Sequence, residues 1–366
     1  MATLEVQVRT LTPLWTGGVD GTMDRIHETG LLGSLRWWYE AIVRSLGGWA
    51  CDPTEHVCTL SGENLKKYKD ARSQGKVWRE ALDEAGICDA CKVFGTTEWQ
   101  RRFRLEVIED RVSPVWDSER PLNIRPPGRT RGWFLPPGWM GEFTLKITGE
   151  PQVLTMLSAL MLFLERWGSL GSKSLLGYGV FLIKNRHEIL KMVEKWEWGK
   201  IEEVDESRNE SALPDLRQFG FLRYRIVNPH PAWWTHVSGI ERVASKVQPL
   251  VKYKTVPVMP ALKNEWRFNR WKGSKRIERE IFGFSDVKIR QRSRIAVSWA
   301  YQISNKIWEI RGWVWLDEKA SWSDKLWQIL TNSESWKNAL RTEGELESHK
   351  IKCKKDVISL VTEVLK

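Results

Sequence analysis

An α+β fold is predicted for this chain of 366 residues, because strand-like and helical stretches of its first half follow the order βαββαβ. The strand-like stretches alternate apolar and polar residues or precede a charged segment, and the helical stretches carry continuous apolar faces. The strands are predicted at residues 4–10, 103–108, 142–148 and 179–184, and the helices at residues 31–46 and 153–167. This order of elements is that of the ferredoxin-like (RRM-like) unit.

The second half of the sequence predicts a repeat of the same unit. Two of its strands are joined by a short hairpin connection at Ser304-Asn305-Lys306, and a charge-dense segment at residues 188–210 is predicted to be the linker. Strands are predicted at 221–227, 295–303 and 307–316, helices near 260–271 and at 324–330, and a helix or strand at 357–365. The predicted architecture is two ferredoxin-like domains in tandem, at residues 1–210 and 211–366.

The charge balance favours a polyanionic partner. The chain carries 57 Lys and Arg against 46 Asp and Glu, a net charge of +11, which favours nucleic acid first and an anionic membrane second. The N-terminal residues lack the apolar segment of a signal peptide, and the longest nearly apolar run, residues 153–164, is too short to span a bilayer. We therefore expect a cytoplasmic protein with no membrane partner.

Four of the five cysteines lie in one segment, residues 47–98, which is inserted into the first predicted domain. They are Cys51, Cys58, Cys88 and Cys91. The last two have C-x-x-C spacing, which lets two thiolates meet one tetrahedral ion, and His56 is an alternative ligand. We predict a structural zinc (Zn) knuckle, with buried free thiols and redox chemistry as the alternatives. Cys353 lies apart and is predicted to be inert.

A glycine-rich loop, GSLGSKSLLGYGVF at residues 168–181, follows the second predicted helix. Glycine permits a left-handed backbone and close approach to a ligand, so the loop is suited to place N–H groups and one lysine against phosphate. The alternative is a tight turn with a solvated lysine, and the order of residues is not that of a P-loop. The predicted phosphate-binding residues are Gly171, Ser172, Lys173, Gly177, Tyr178 and Gly179.

Three further stretches are rich in lysine and arginine. Residues 120–134 hold four arginines and no acidic residue, within a predicted protruding hairpin at 112–140; an arginine group at 98–104 precedes a strand. Residues 263–294 interleave cations with aromatic residues, as a sequence-tolerant single-strand groove requires. The alternative for each stretch alone is a solvated basic face with its aromatic residues in the core. The candidate RNA-binding cations are Arg101, Arg125, Arg129, Arg131, Arg267, Arg270, Lys272, Lys275, Arg276, Arg290, Arg292 and Arg294.

The first predicted helix carries a ladder of charges. Arg36, Glu40 and Arg44 recur every four residues, a spacing at which side chains on one helix face form ion pairs. Both arginines are also candidate RNA-binding residues.

Catalytic motifs are scarce in the sequence. No Ser–His signature, H-E-x-x-H or Walker motif is present, so we predict no catalytic residue and no enzyme activity. The alternative is a ribonuclease in which His27 acts as a general base toward a ribose hydroxyl, or in which Asp20 and Asp24 assist cleavage.

Several motifs together resemble those of the RAMP superfamily of CRISPR proteins. They are TPLWTGG at 12–18, GLLGSLRWWYEAIVR at 30–44, ACDPT at 50–54, CDACKVFGTTEWQRRFRL at 88–105, the glycine-rich loop, and SRIAVSWAYQI and WEIRGWVWL in the second half. More narrowly, they are similar to the first RAMP subunit of type III-B (Cmr) effector complexes. The resemblance extends over nearly the whole chain.

The resemblance implies a non-catalytic RNA-binding subunit at the head of the complex, near the 3′ end of the guide RNA (crRNA). Such a subunit helps to capture complementary single-stranded target RNA beside the other RAMP subunits. In this family, target cleavage belongs to the backbone subunit. Arg36, the glycine-rich loop and the arginines at 125–131 are then expected to hold phosphates, and residues 263–294 to extend the groove.

Overall fold

The computed structural model describes residues 1–18, 20–52, 54, 58–116, 120–198, 213–285, 290–317 and 319–366. Within these residues the protein has the predicted mixed α+β fold with antiparallel sheets. The predicted linker beyond residue 198 and the alternative ligand His56 lie outside the described residues. None of the helices in the described ranges combines the length and the apolar character needed to cross a membrane.

The strands and helices are numbered in chain order. The strands are β1 Ala2–Thr10, β2 Phe103–Pro114, β3 Leu122–Ile124, β4 Trp133–Leu135, β5 Trp139–Gly149, β6 Phe181–Ile183, β7 Phe219–Val227, β8 Thr255–Val256, β9 Phe284–Ser285, β10 Arg290–Gln291, β11 Ile295–Val297, β12 Ala300–Ser304, β13 Ile307–Trp315 and β14 Glu345–Lys350. The helices are α1 Glu28–Ser45, α2 Gly62–Ser73, α3 Trp78–Glu84, α4 Asp89–Phe94, α5 Pro151–Arg166, α6 Arg186–Val193, α7 Ala244–Lys252, α8 Met259–Asn264, α9 Lys275–Phe282, α10 Ser323–Leu330, α11 Ser333–Leu340 and α12 Lys354–Glu363.

The first sheet has the strand order β2-β5-β1-β6, and all of its pairings are antiparallel. Burial alternates along β1, where Leu4, Val6 and Val8 are buried and the residues between them are exposed. The buried face packs with α1 and α5, whose apolar faces have the predicted helical period. The sheet is therefore covered on one side and open on the other.

The second sheet has the order β14-β7-β13-β12-β8, with β11 pairing on β13. In the first sheet, the strands β1, β2, β5 and β6, numbered 1 to 4 in chain order, lie in the order 2-3-1-4. In the second sheet, β7, β12, β13 and β14, numbered 1 to 4 in the same way without β8 and β11, lie in the order 2-3-1-4 when read from β12 to β14. The two halves thus repeat one strand order, and the final element of the chain, α12, is helical.

One predicted strand of the second sheet is interrupted. Residues 295–303 form β11 and β12 with Ser298 and Trp299 between them. Trp299 turns aside to meet the first half of the chain: its N–H donates to the Gly177 carbonyl (3.3 Å) and its indole N–H to the Leu176 carbonyl (2.9 Å). The interruption therefore serves the junction with the glycine-rich loop.

The C-terminal end of α5 is held by arginines of the second sheet. Arg223 donates to the Arg166 carbonyl (3.0 Å), and the guanidinium of Arg311 donates to the carbonyl of Glu165. Cations are favoured at this end of a helix, where backbone carbonyls lack helical partners. Aromatic contacts extend the same junction, with the rings of Trp37 on α1 and Trp313 on β13 5.6 Å apart. The junction between the halves is therefore buried and specific.

Candidate nucleic-acid interface

The N–H groups of the glycine-rich loop are largely used within the protein. Gly171 donates to a serine hydroxyl of α1 (2.9 Å), Ser172 to the carbonyl of Trp15 (2.8 Å) and Gly179 to the carbonyl of Pro13 (2.9 Å). Because these donors already have acceptors, they are not free for phosphate. The predicted backbone contacts of Gly171, Ser172 and Gly179 with RNA are therefore corrected.

Two of the loop glycines are required by packing rather than by a ligand. Gly177 and Gly179 have φ of +90° and +87°, a Cβ on Gly177 would lie 2.5 Å from the ring of Trp299, and one on Gly179 would overlap the Leu170 carbonyl. Between them, Tyr178 is 1% exposed and its hydroxyl donates to a backbone carbonyl (2.5 Å). Gly177 and Tyr178 are therefore removed from the predicted RNA contacts.

Lys173 is the member of the loop that remains available to an anion. It is half-buried, with its Nζ 4.4 Å from the ring centroid of Trp15, and its backbone is left-handed at φ +62°. A left-handed lysine costs of order 1 kcal/mol, a strain that clusters at functional sites. Burial lowers the pKa of Lys173, and within the described ranges no acidic side chain pairs with it. Its predicted phosphate contact stays a prediction.

The two arginines of α1 serve the interior. Arg36 pairs with Glu40 (2.8 Å), as predicted, and its remaining guanidinium nitrogens donate to a backbone carbonyl and to Cys91 Sγ (both 3.1 Å). Arg44 is 2% exposed, lies 3.6 Å from Glu40, and donates to three backbone carbonyls. The predicted ion pairs along this helix face are confirmed, but the prediction that Arg44 contacts RNA is wrong. All three guanidinium nitrogens of Arg36 already donate within the protein, so they are not free for phosphate.

The four predicted metal ligands, here called the cysteine cluster, are brought together and buried. Their Sγ atoms all lie within 4.8 Å of one another, and those of Cys51 and Cys91 are 3.6 Å apart. Four thiolates at 2.3 Å from one tetrahedral zinc are separated by about 3.8 Å. The geometry therefore fits a metal ion held by four sulfurs.

Backbone and side-chain donors support the cysteine cluster. The Cys88 N–H donates to Cys58 Sγ and the Cys91 N–H to Cys88 Sγ, each at 3.4 Å. Hydrogen bonds from the neighbouring thiols lower the pKa of Cys51, and hydrogen bonding to Cys51 raises the pKa of the other three. Donors around sulfur orient it as a ligand.

Strands β3 and β4 pair as the core of an Arg-rich hairpin, residues 120–134. Their inward residues are buried, whereas Arg125 and Arg131 are exposed. Phe134, in the middle of β4, is 58% exposed. The hairpin thus presents cations and one aromatic ring to solvent, with no acidic residue in its sequence.

Arg129 fastens this hairpin to the second half of the chain. Its guanidinium carbon lies 3.4 Å from the ring centroid of Phe268, and a Cβ on Gly239 would lie 2.9 Å from Pro126 N. Burial, and after it the charge of Arg267, lowers the pKa of Arg129. The hairpin is therefore docked, and its cations lie in a fixed position beside residues 263–294.

Residues 263–294 are less basic at their surface than the sequence suggests. Four predicted cations are paired with acidic side chains of the same segment, so their charge is compensated within the protein. The pairs are Arg267–Glu278 (3.0 Å), Lys275–Glu278 (2.8 Å), Arg270–Glu265 (2.7 Å) and Arg294–Glu280 (3.2 Å). These four residues therefore contribute less to a phosphate groove than predicted.

Among the predicted cations of this segment, Lys272, Arg276, Arg290 and Arg292 are exposed and form no ion pair with the described residues. Arg101, in the first half, is also exposed. Three of the five large aromatic residues of the segment, by contrast, lie in the core: Trp266, Trp271 and Phe282 are 0%, 5% and 6% exposed. The prediction that these three stack on bases is therefore wrong, whereas Phe268 and Phe284 are partly exposed.

His27 has a carboxylate partner that its sequence context did not indicate. Its Nε2 lies 2.6 Å from Asp24 Oδ1, and this hydrogen bond lowers the pKa of Asp24. Asp20 instead accepts from the N–H (3.0 Å) and hydroxyl (2.8 Å) of Thr22, which closes a turn. The structure therefore separates a His27–Asp24 pair from a structural Asp20.

The candidate interface includes two aromatic residues, Phe134 and Trp15, that the sequence analysis did not identify. Phe134 had a usable signal, because strand alternation places it opposite buried Leu135. Trp15 had none, since its contact with Lys173 joins residues 158 positions apart.

Comparison with known proteins finds one family model that matches part of the chain. Residues 7–181 match the model of the RAMP superfamily. The chain is similar to the crystal structure of Cmr1 from Pyrococcus furiosus in its apo form, with 14% identity, a TM-score of 0.44, and 95% of this chain and 98% of that chain covered. A second similar structure is the cryo-EM structure of type III-B Cmr-beta bound to cognate target RNA and AMPPnP, in state 2 in the presence of ssDNA, with 11% identity, a TM-score of 0.38, and 99% of each chain covered. No curated protein matches the chain by sequence.

Proposed function

We propose, from the match of residues 7–181 to the model of the RAMP superfamily, that the protein is a non-catalytic RNA-binding subunit of a type III-B CRISPR effector complex. It lies at the head of the complex, near the 3′ end of the guide RNA, and helps to capture single-stranded target RNA. The motifs at residues 12–18, 30–44 and 88–105 support this narrower assignment.

The observation that carries the proposal is the Arg-rich hairpin. Arg125 and Arg131 are exposed, Phe134 presents an open ring, and Arg129 fixes the hairpin against Phe268. Guanidinium groups neutralise phosphates, and an exposed ring stacks on any base, so the surface binds RNA with little sequence preference. Base pairing with the guide then supplies specificity.

Lys173 supplies a second phosphate contact in this proposal. Its position over Trp15 holds the ammonium group at a fixed place, and the left-handed backbone is maintained by the surrounding loop. The exposed cations at 272, 276, 290 and 292 extend the same electrostatic field. Several separate phosphate contacts make affinity fall steeply with salt.

The finer architecture belongs to the same proposal. The shared 2-3-1-4 strand order supports two ferredoxin-like domains, residues 1–210 with the insertion 47–98 and the hairpin 112–140, and residues 211–366. The cysteine cluster holds structural zinc, because its four buried sulfurs leave no place for a substrate. Other RAMP subunits and the guide RNA are the partners, and the cytoplasm is the compartment.

A ribonuclease is the second candidate function, favoured by the His27–Asp24 contact alone. A carboxylate that orients an imidazole is a recurrent part of acid–base catalysis. This candidate predicts RNA cleavage that disappears in His27→Ala and Asp24→Ala, whereas the binding function predicts intact RNA in all three proteins.

The test is anisotropy of a labelled single-stranded RNA across a salt series, with gel analysis of the same samples. We expect intact RNA, and an Arg125→Ala/Arg131→Ala variant whose salt slope falls by about 1.4, since each phosphate contact to a single strand contributes about 0.7. Lys173→Ala should weaken all RNA sequences alike. The control is Lys355→Ala, which removes an exposed cation from α12. An equal loss in the control, or a loss confined to one sequence, contradicts the proposal.

A further inference from the structure

A cavity of about 380 Å³ lies in the second half of the chain, and its lining includes no residue of the Arg-rich hairpin or of the cysteine cluster. The segment that follows β7 forms one wall, and the β12–β13 hairpin forms the other. Its lining contains no acidic residue.

Two tryptophans form the inner part of the cavity. The rings of Trp233 and Trp308 are 5.6 Å apart and inclined by 71°, and the side chains are 4% and 8% exposed. The buried indole N–H of Trp233 has no hydrogen-bond partner among the described residues. The indole N–H groups of Trp167, Trp196, Trp198 and Trp271 are likewise buried without a partner, so the Trp233 N–H is a donor that lacks an acceptor but is not a feature unique to this cavity.

Polar side chains form the outer part. The amides of Asn228, Gln302 and Asn305 line the cavity, and in the part of the chain that the structure describes their side chains make no hydrogen bond. The Ala232 N–H donates to His230 Nδ1 (3.2 Å), so the proton of the neutral ring is on Nε2, which is a donor. The cavity therefore offers amide donors and acceptors together with a ring N–H donor.

This chemistry matches a nucleobase. Side-chain amides pair with the donor and acceptor edges of bases, and sequence-specific RNA recognition targets unstacked bases of single strands. Lys306 lines the same cavity, and no carboxylate repels the phosphate that a nucleotide carries. The volume is within the usual range for small-molecule sites.

We propose that this cavity binds one unstacked base of single-stranded RNA, an inference that rests on the proposed RNA-binding function. A free nucleotide has the same chemistry, so the test includes both sources. The cavity thus provides a contact with a base in the second half of the chain, whereas the Arg-rich hairpin provides mainly contacts with phosphates.

The test uses photocrosslinking of the full-length protein with an oligoribonucleotide that contains 4-thiouridine, and separately with 4-thiouridine monophosphate, followed by peptide mapping. We expect crosslinks from the oligonucleotide in residues 228–233 or 302–308. A Gln302→Ala/Asn305→Ala variant should lose about tenfold of this crosslinking, the effect expected for one base contact of about 1.4 kcal/mol. Gln152→Ala, which removes an exposed amide on α5, is the matched control.

The outcomes separate this inference from the proposed function. If RNA binds and crosslinks only outside these segments, the base site is overturned and the hairpin function stands. If the monophosphate crosslinks here while RNA fails to bind, the cavity is a free-nucleotide site, and both the inference for RNA and the proposed function are overturned. Equal losses in Gln152→Ala also overturn the base site, and thermal unfolding of each variant verifies that it is folded.

Discussion

Lys263 Nζ donates to the carbonyl oxygen of Leu175 at 2.8 Å and thereby joins α8 to the glycine-rich loop. Lys263 was predicted to begin a basic surface, but the side chain is buried. Burial, followed by the charge of Arg267, lowers the pKa of Lys263 to about 7. A residue counted as a surface cation is thus part of the contact between the two halves.

This contact predicts stability that rises with pH. The Lys263 amine has an ordinary pKa of 10.5 in the unfolded chain and about 7 in the folded protein. Between these values the unfolded state binds the proton and the folded state does not, so the free energy of unfolding increases by up to about 1.4 kcal/mol per pH unit. Below pH 7 the folded protein carries the full cost of burying the charge. Urea denaturation at pH 6.5, 7.5, 8.5 and 9.5 measures this slope.

Lys263→Met should flatten the pH dependence in this window and stabilise the protein most at pH 6.5. Lys355→Met is the control, because Lys355 is exposed and should leave the slope unchanged. An undiminished slope in Lys263→Met means that another group titrates, and the assignment to Lys263 is then rejected.

The cysteine cluster predicts stoichiometric zinc. Purified protein should contain about one zinc per chain by plasma mass spectrometry, and Cys88→Ser should lose the metal and unfold at a lower temperature, because zinc binding contributes folding free energy. Cys353→Ser is the matched control, since Cys353 is exposed and outside the cluster. Retained zinc in Cys88→Ser, or equal loss in Cys353→Ser, rules out the four-sulfur site.

Because Arg44 is buried and paired, we predict that its replacement lowers the free energy of unfolding substantially without lowering RNA affinity. Arg44→Met leaves Glu40 buried with only Arg36 as a partner, and breaking a buried ion pair costs about 3 kcal/mol or more. Lys67→Met is the control, because Lys67 pairs with Glu63 at the same helical spacing on the exposed surface (3.0 Å), where a pair contributes less than about 1 kcal/mol. Chemical denaturation and RNA binding are measured on both. Equal stabilities, or an RNA defect in folded Arg44→Met, would refute a structural role.

Regular periodicity explains what the sequence revealed about the fold. The alternation of β1 and the apolar faces of α1 and α5 are local patterns, and each element lies within a few residues of its predicted place. The strand at 295–303 was predicted as continuous. Its break at Ser298 depends on a contact with the glycine-rich loop more than 100 residues away, which no local pattern contains.

The candidate interface was harder to predict for the same reason. Counting cations identified residues 263–294, but only the folded chain shows that Arg267 and Lys275 share Glu278, or that Trp266 packs on Trp336 with ring centroids 5.2 Å apart. The cysteine cluster was predictable in its members, because C-x-x-C spacing is itself a ligand geometry. Long-range pairing, rather than composition, decides which charges and rings remain free.

Phe134 provides the most direct test of whether an aromatic ring that remains exposed in the folded chain contributes to RNA binding. Its ring is 58% exposed, so Phe134→Ala should weaken single-stranded RNA binding by about 1–3 kcal/mol, the usual contribution of one base stacked on an aromatic ring. The salt slope should stay constant, because no phosphate contact is removed. Phe134→Tyr keeps the ring and should bind like the parent, whereas Phe134→Leu keeps only apolar bulk and should resemble the alanine variant. Anisotropy titrations of the three variants at two salt concentrations measure this; parent-like affinity in Phe134→Leu would show that burial of apolar surface, rather than stacking, is what Phe134 contributes.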